Sequence, residues 1–204
     1  VLGAPIVLLD IWHPRRAVEL IEQHRATYTF ASTPFLADLA QFEDVDKRDL
    51  RAFRLFVTSG APIPPVVVQQ AQENLGVVVV ASWGMSECCS ATTTLLSGHK
   101  VRESDGIAMP GSEVKVVDSA GREVPRGRQG SLRVRGAALF VGYLKRPQLY
   151  AVDEDGWFDT GDVARMDEEG YIRICGRDKD IIIRGGENIP VVEIEAALYK
   201  MPGI

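Results

Sequence analysis

Basic clusters, long apolar runs, paired cysteines and metal-ligand spacings are all missing from this chain, and each absence removes a class of function. Twenty-three Lys and Arg face 28 Asp and Glu, for a net charge of −5, and no basic block stands out. Binding to nucleic acid through phosphate neutralisation is therefore disfavoured. No apolar run approaches the ~20 residues of a membrane span. Val1-Leu2-Gly3 has neither the charged start nor the cleavage pattern of a signal peptide. A protein without a membrane span, in the cytoplasm, is expected. The three cysteines cannot all pair, and Cys88 and Cys89 are neighbours, so reduced thiols are expected rather than a disulfide framework. His13, His24 and His99 are scattered with no Cys or carboxylate at ligand spacing, which argues against a zinc site.

What is present is enough apolar material for a real core: 46% hydrophobic in 204 residues. Four short apolar runs, Ile6 to Leu9, Tyr28 to Ala31, Phe53 to Val57 and Val77 to Ala81, read as buried strands. Between them, Pro14 to His24, Pro34 to Phe42 and Pro65 to Leu75 carry apolar residues at helical spacing behind an opening proline. Strand and helix alternate, so the first part, residues 1–105, is expected to be α/β with a parallel sheet. From about Gly106 the pattern changes to short strands split by turn residues: Val114 to Val117, Ser131 to Arg135 and Tyr171 to Cys175. Residues 106–176 are accordingly expected to form an antiparallel, barrel-like β subdomain. The alternating charges Arg177-Asp178-Lys179-Asp180 then precede Ile181-Ile182-Ile183, Gly185-Gly186 and a helix opened by Pro190. That succession reads as a hinge, with 177–204 the first elements of a small C-terminal domain. With no initiator Met and a strand-like opening, the chain reads as an internal piece of a longer polypeptide.

Four segments carry residues suited to chemistry. Trp83-Gly84-Met85-Ser86-Glu87 follows a strand, where open α/β sheets bind ligands. An indole can stack on a purine, Gly84 lets a ligand lie against the backbone, Ser86 can donate to a phosphate, and Glu87 offers hard oxygens to magnesium. The same residues equally describe a core tryptophan followed by a helix start that Ser86 caps. Ser59-Gly60-Ala61-Pro62 leaves room for a flat ring or an acyl chain, or is simply a turn into the next helix. Phe158-Asp159-Thr160-Gly161-Asp162 is read as a loop whose carboxylate accepts hydrogen bonds from ribose hydroxyls, or as a turn in which Asp162 is structural. Arg177 can meet phosphate or ribose with its rigid fork, and Lys179 can sit at a pivot; the alternative is a solvated connector.

The order and spacing of these segments resembles the adenylate-forming superfamily: acyl-CoA synthetases, peptide-synthetase adenylation domains and firefly-type luciferases. Ser59 to Pro62 matches its adenine-side loop, Trp83 to Glu87 its aromatic-Gly-x-Thr-Glu motif, and Gly130 to Leu144, ending Val141-Gly142-Tyr143-Leu144, its Gly-Glu-Leu…Gly-Tyr block. Phe158 to Asp162 matches the Thr-Gly-Asp motif and Gly176 to Glu195 the hinge. The resemblance implies a nucleotide site of Gly60, Ala61, Pro62, Ser82, Trp83, Gly84, Met85, Ser86, Glu87, Asp162 and Arg177. Within it, Trp83 would stack on adenine, Ser86 contact the α-phosphate, Glu87 hold Mg2+, Asp162 bind the ribose hydroxyls and Arg177 the ribose or phosphate. Glu87, Arg177 and the pivot Lys179 carry the catalytic roles. Gly60, Ala61 and Gly84 would border the acyl pocket, and Gly185 and Gly186 would meet the pantetheine arm of coenzyme A. The segment Gly185-Gly186-Glu187-Asn188-Ile189 is most similar to acid–CoA ligases, implying ATP, Mg2+, coenzyme A and a carboxylic acid as partners.

The chain also departs from that pattern. Ser86 replaces the usual Thr, Trp83 the usual Tyr and Ser131 the usual Glu. The sequence contains neither the superfamily's Ser/Thr/Gly-rich phosphate loop ending in Pro-Lys nor its late catalytic lysine, since Lys200 follows the hinge too closely. The piece alone is therefore expected not to adenylate a substrate, and strands left without partners are expected to favour low stability or a homodimer. A truncated homologue that binds adenylate or acyl groups without catalysis, or docks onto a partner, is the competing expectation, with loading of a carrier protein as a variant of the enzyme reading.

Overall fold

The computed structural model describes the chain except for residues 1, 2, 97, 98, 151, 179, 180, 185, 186, 199, 200 and 202–204. For residues 99, 181–184, 187–190, 192, 193 and 196 it describes the backbone alone. Two compact units divide the chain, Val1–Val80 and Ala81–Ile204.

The first unit alternates helix and strand: α1 (Pro14–His24), β1 (Tyr28–Ser32), α2 (Thr33–Ala40), β2 (Leu55–Ser59), α3 (Pro65–Leu75) and the opening of β3 (Val78–Met85). Each helix has proline in its first turn, where the missing N–H costs nothing and the fixed φ is already helical. Gly76 ends α3 with φ 67°, a left-handed residue that glycine adopts without strain. β1 and β2 pair in parallel from Tyr28↔Leu55 to Ser32↔Ser59. Val18, Leu36, Phe56, Val67, Val68 and Ala71 are buried, and Thr33 and Thr58 share a buried hydroxyl contact of 3.1 Å.

Two expectations need correction here. Ile6 to Leu9 is irregular, not a buried strand, with Ile6 81% and Leu8 84% exposed. Among the described residues no strand pairs with it, and apolar character without a hydrogen-bonding ladder does not make a strand. β1 is not a buried strand either: Tyr28 and Phe30 are each half exposed, and Thr29, Ala31 and Ser32 are only partly buried.

In the second unit β3 turns back into β4 (Cys89–Thr93), which pairs antiparallel with β5 (Ile107–Ala108). The α/β expectation holds, but the strands are not all parallel. There follows a four-stranded antiparallel meander, β6 (Ser112–Val117), β7 (Gln129–Gly136), β8 (Phe158–Met166) and β9 (Ile172–Arg177). The described strands of this sheet do not close into a barrel: β6 and β9 are its two edges. β10 (Ile181–Arg184) pairs antiparallel with β11 (Glu187–Pro190), and α4 (Val191–Leu198) follows. The unit's core joins Trp83, Cys88 and Ala91 of the hairpin to Val116, Leu132, Val134, Phe158, Ala164, Met166 and Ile172 of the meander. None of the three cysteines is in a disulfide.

Candidate functional site

The segment Phe158 to Asp162 is a strand with a bulge in it, and this replaces the expected loop. Residues 158, 160, 162, 164 and 166 of β8 point inward in strict alternation, as the two-residue period of a strand requires. Arg133 pairs with Asp159 and Ser131 with Val163, so Thr160, Gly161 and Asp162 together oppose the single residue Leu132. Such an insertion kinks a strand and re-aims a side chain. Gly161 supplies φ 71° at the bend. Thr160 fastens the bulge: its hydroxyl donates to the Leu132 carbonyl at 2.8 Å and accepts the Asp162 N–H at 3.1 Å.

The bulge carries Asp162, only 5% exposed, to the indole of Trp83. Trp83 Nε1–H donates to Asp162 Oδ2 at 3.0 Å. Arg177, paired with Asp162 in the β8–β9 register, sets its Nε 3.2 Å from Oδ1, while its side chain stays 61% exposed. Three residues from distant points of the sequence thus meet at one carboxylate. Burial pushes this carboxyl above the ordinary aspartate range, against the opposing pull of the Trp83 N–H and the Arg177 charge. A carboxylate has about four lone-pair positions; one donor on each oxygen leaves two for a vicinal diol.

On the neighbouring hairpin, β3 runs on through Trp83 and Met85, and Ser86-Glu87-Cys88 forms a three-residue turn closed by Cys88 N–H to Met85 O at 3.1 Å. This excludes a helix capped by Ser86. Cys89 resumes the strand with φ 53°, the left-handed residue such turns use. A Cβ on Gly84 would lie 1.7 Å from the Cys89 carbonyl oxygen, so the hairpin itself requires glycine there, independently of any ligand. Ser82 is buried and donates to Thr92 O at 3.0 Å, and Met85 packs against the core. Ser86 is exposed at the turn. Glu87, half-buried, accepts the Tyr143 hydroxyl on Oε1 at 2.6 Å, and its carbonyl accepts the Phe140 N–H at 2.7 Å. Tyr143 belongs to the Gly-Tyr block but carries no role in the sequence reading. A phenol shares its residue type with many core positions, and only the fold brings it to Glu87.

Gly60, Ala61 and Pro62 lie in the first unit, in the turn after β2, with φ 79° at Gly60 and the Ala61 carbonyl 3.4 Å from Thr33 Oγ1. Lys179, Gly185 and Gly186 lie outside the described residues. No group of three or more His, Cys, Asp or Glu that could hold a metal occurs among the described residues. Magnesium bound with a nucleotide takes one or two carboxylates together with phosphates and water, and at the hairpin turn Glu87 has one carboxylate oxygen outside its hydrogen bond to Tyr143.

The profile of the family described as AMP-binding enzyme matches residues 1–144, well over half of the chain. The chain belongs to that family. It is 41% identical over 207 residues to the medium-chain fatty-acid–CoA ligase of Escherichia coli, covering 100% of this chain and 36% of that one. Among solved structures, ATP-bound MatB from Rhodopseudomonas palustris superposes with a TM-score of 0.88 at 33% identity, covering 97% of this chain and 39% of that one. The amide bond synthetase McbA from Marinactinospora thermotolerans superposes with a TM-score of 0.86 at 33% identity, covering 95% and 40%. The chain thus spans little more than a third of the relatives it matches. Its antiparallel half and its mixed α/β half both have counterparts in adenylate-forming enzymes of known structure.

Proposed function

We propose that this chain forms the adenylate-holding part of an AMP-forming acid–CoA ligase. The observation that carries the reading is the meeting of Trp83, Asp162 and Arg177 at one buried carboxylate with acceptor capacity to spare. Asp162 takes the two ribose hydroxyls, Arg177 turns its exposed guanidinium to ribose or phosphate, and Trp83, buried in the core, fixes Asp162 through its indole N–H. Ser86 reaches the α-phosphate, and Glu87 holds Mg2+ at the hairpin turn. Bound magnesium supplies charge neutralisation at the phosphates.

In this reading a carboxylate oxygen of the substrate acid attacks the α-phosphorus of ATP and pyrophosphate leaves. The thiol sulfur of coenzyme A then attacks the acyl carbon and AMP leaves. The first step brings two anions together, so its barrier is largely electrostatic, and fixed dipoles together with the cation that Arg177 turns to the phosphate lower it. Lys179 as pivot and Gly185 and Gly186 at the pantetheine arm complete the proposal. The name of the Escherichia coli relative supports coenzyme A as acceptor, whereas that of McbA shows that the fold also serves amide formation. No helix among the described residues is long and apolar enough to cross a membrane, and cysteines outside any disulfide suit a reducing compartment; a cytoplasmic protein is our proposal. The exposed apolar residues Ile6, Leu8, Tyr28 and Phe30 make self-association, in the simplest case a homodimer, the proposed state of the isolated chain.

The test is ATP–pyrophosphate exchange by the complete polypeptide that carries this chain, across a panel of carboxylic acids, followed by product analysis with and without coenzyme A. Acid-dependent exchange and an acyl-CoA product are expected. Exchange without any CoA product would move the acceptor to a carrier protein or an amine, and no exchange with any acid would overturn the reading.

A further inference from the structure

The hydroxyl of Tyr143 lies 2.6 Å from Glu87 Oε1, a separation in the range of a hydrogen bond to an ionised carboxylate. This contact is prepared by everything around it. Phe140, three residues earlier, donates its N–H to the Glu87 carbonyl at 2.7 Å, so the segment after β7 is fastened to the main chain of the turn as well as to the side chain. The Phe140 ring packs edge-on against Tyr143 at 4.7 Å, Tyr150 at 5.1 Å and Phe158 at 5.4 Å. Tyr150 closes the cluster by donating its hydroxyl to the Phe140 carbonyl at 3.0 Å. Phe158 is anchored on β8, the strand that also carries Asp162. The aromatic cluster therefore holds Tyr143 against the same sheet that positions the nucleotide carboxylate.

We infer that Tyr143 is a positioning residue for Glu87: it occupies one carboxylate oxygen and so presents the other, Oε2, to a divalent cation bound with the nucleotide. Glutamate has three side-chain torsions to restrict, and a phenol that fixes one oxygen removes that freedom before the cation arrives. The inference rests on the reading that Glu87 holds magnesium.

Calorimetric binding of ATP to the complete polypeptide tests it, in Mg2+ and in EDTA, for wild type, Tyr143→Phe, Glu87→Gln and the double variant. Tyr143→Phe keeps the ring and its contact with Phe140 and loses only the hydroxyl. It is expected to weaken Mg2+-dependent ATP binding about tenfold, as loss of a partner of a metal ligand does, with no change in EDTA. In the Glu87→Gln background the same change is expected to add nothing. An equal loss with and without Mg2+, or no loss at all, would overturn the role given to Tyr143. Should Glu87→Gln itself bind Mg2+ and ATP like the wild type, the magnesium reading fails and the inference with it; should Glu87→Gln alone lose the Mg2+ dependence, only the inference fails.

Discussion

Asp105 and Asp162 are both buried aspartates of the second unit, and each faces an arginine of β9, yet they are held in different ways. Asp105 Oδ2 accepts the main-chain N–H of Ile174 at 2.8 Å, and Oδ1 lies 3.6 Å from Arg173, whose Nη1 is buried without a hydrogen-bond partner. Its own N–H and C=O are also spent, on Ile172 O at 2.8 Å and the Thr92 hydroxyl at 2.7 Å. These bonds tie the Asp105 segment to β9 on one side and, through Thr92, to β4 on the other. Asp162 instead takes side-chain donors, an indole and a guanidinium that is 61% exposed. Burial raises both carboxyls above the ordinary range, so burial alone does not single out a ligand site. What distinguishes Asp162 is that its arginine is free to turn toward a ligand and that its strand is bulged to aim it.

The largest effect expected from this contrast is on folding. Asp105→Ala strands the partly buried Arg173 charge and the Ile174 N–H, and is expected to cost about 3–5 kcal/mol, the range for breaking a buried ion pair from one side. Asp162→Ala leaves Arg177 solvated and only the Trp83 N–H without an acceptor, at about 1–3 kcal/mol. Urea denaturation of the two variants measures the difference, and equal losses would erase the distinction. Next in size, Trp83→Phe keeps a ring in the core but removes the donor; it is expected to lower stability by about 1–3 kcal/mol and to weaken AMP binding severalfold through a loosened Asp162. A ring that acted by stacking alone would leave AMP affinity near wild type.

The smallest effect is the pH dependence. Both carboxyls are raised in the folded state, so the fold holds their protons more tightly than the unfolded chain, where aspartate titrates near 3.9. Wild type should therefore lose stability relative to Asp105→Asn or Asp162→Asn as pH rises from about 4 through the raised values. Exposed carboxylates such as Glu113, lowered by its hydrogen bond from Arg135, slope the other way: their contribution is lost as pH falls. Melting temperatures between pH 4 and 7 would show the relative loss; a constant gap between wild type and variant would contradict it.

How far the sequence was readable follows the same lines. The helices Pro14–His24 and Pro65–Leu75 were legible to the residue, because a proline opens each and the apolar stripe is uninterrupted. β8 was not. Thr160 and Asp162 sit at inward positions where an apolar residue would signal a strand, and Gly161 between them reads as a turn. Polar residues at inward positions erased the secondary-structure signal of the strand. The β3–β4 turn was hidden for a related reason: Ser86 and Glu87 after an apolar run describe a helix start as well as a hairpin. The motifs themselves were legible by resemblance, but the Asp162 hydrogen bonds, the Thr160 brace and the Tyr143 contact are products of register and bulge, which no local pattern displays. Ile6 to Leu9 shows the converse failure, in which composition promised a strand that the described residues offer no ladder to complete.

The most direct test is a comparison of AMP with its 2′,3′-dideoxy analogue by calorimetry, on the complete polypeptide and its Asp162→Asn variant. If the buried carboxylate receives the sugar hydroxyls, wild type should prefer AMP by tenfold or more, on the scale of hydrogen bonds to a charged group, and the variant should lose most of that preference. A preference that survives unchanged in Asp162→Asn would contradict the account.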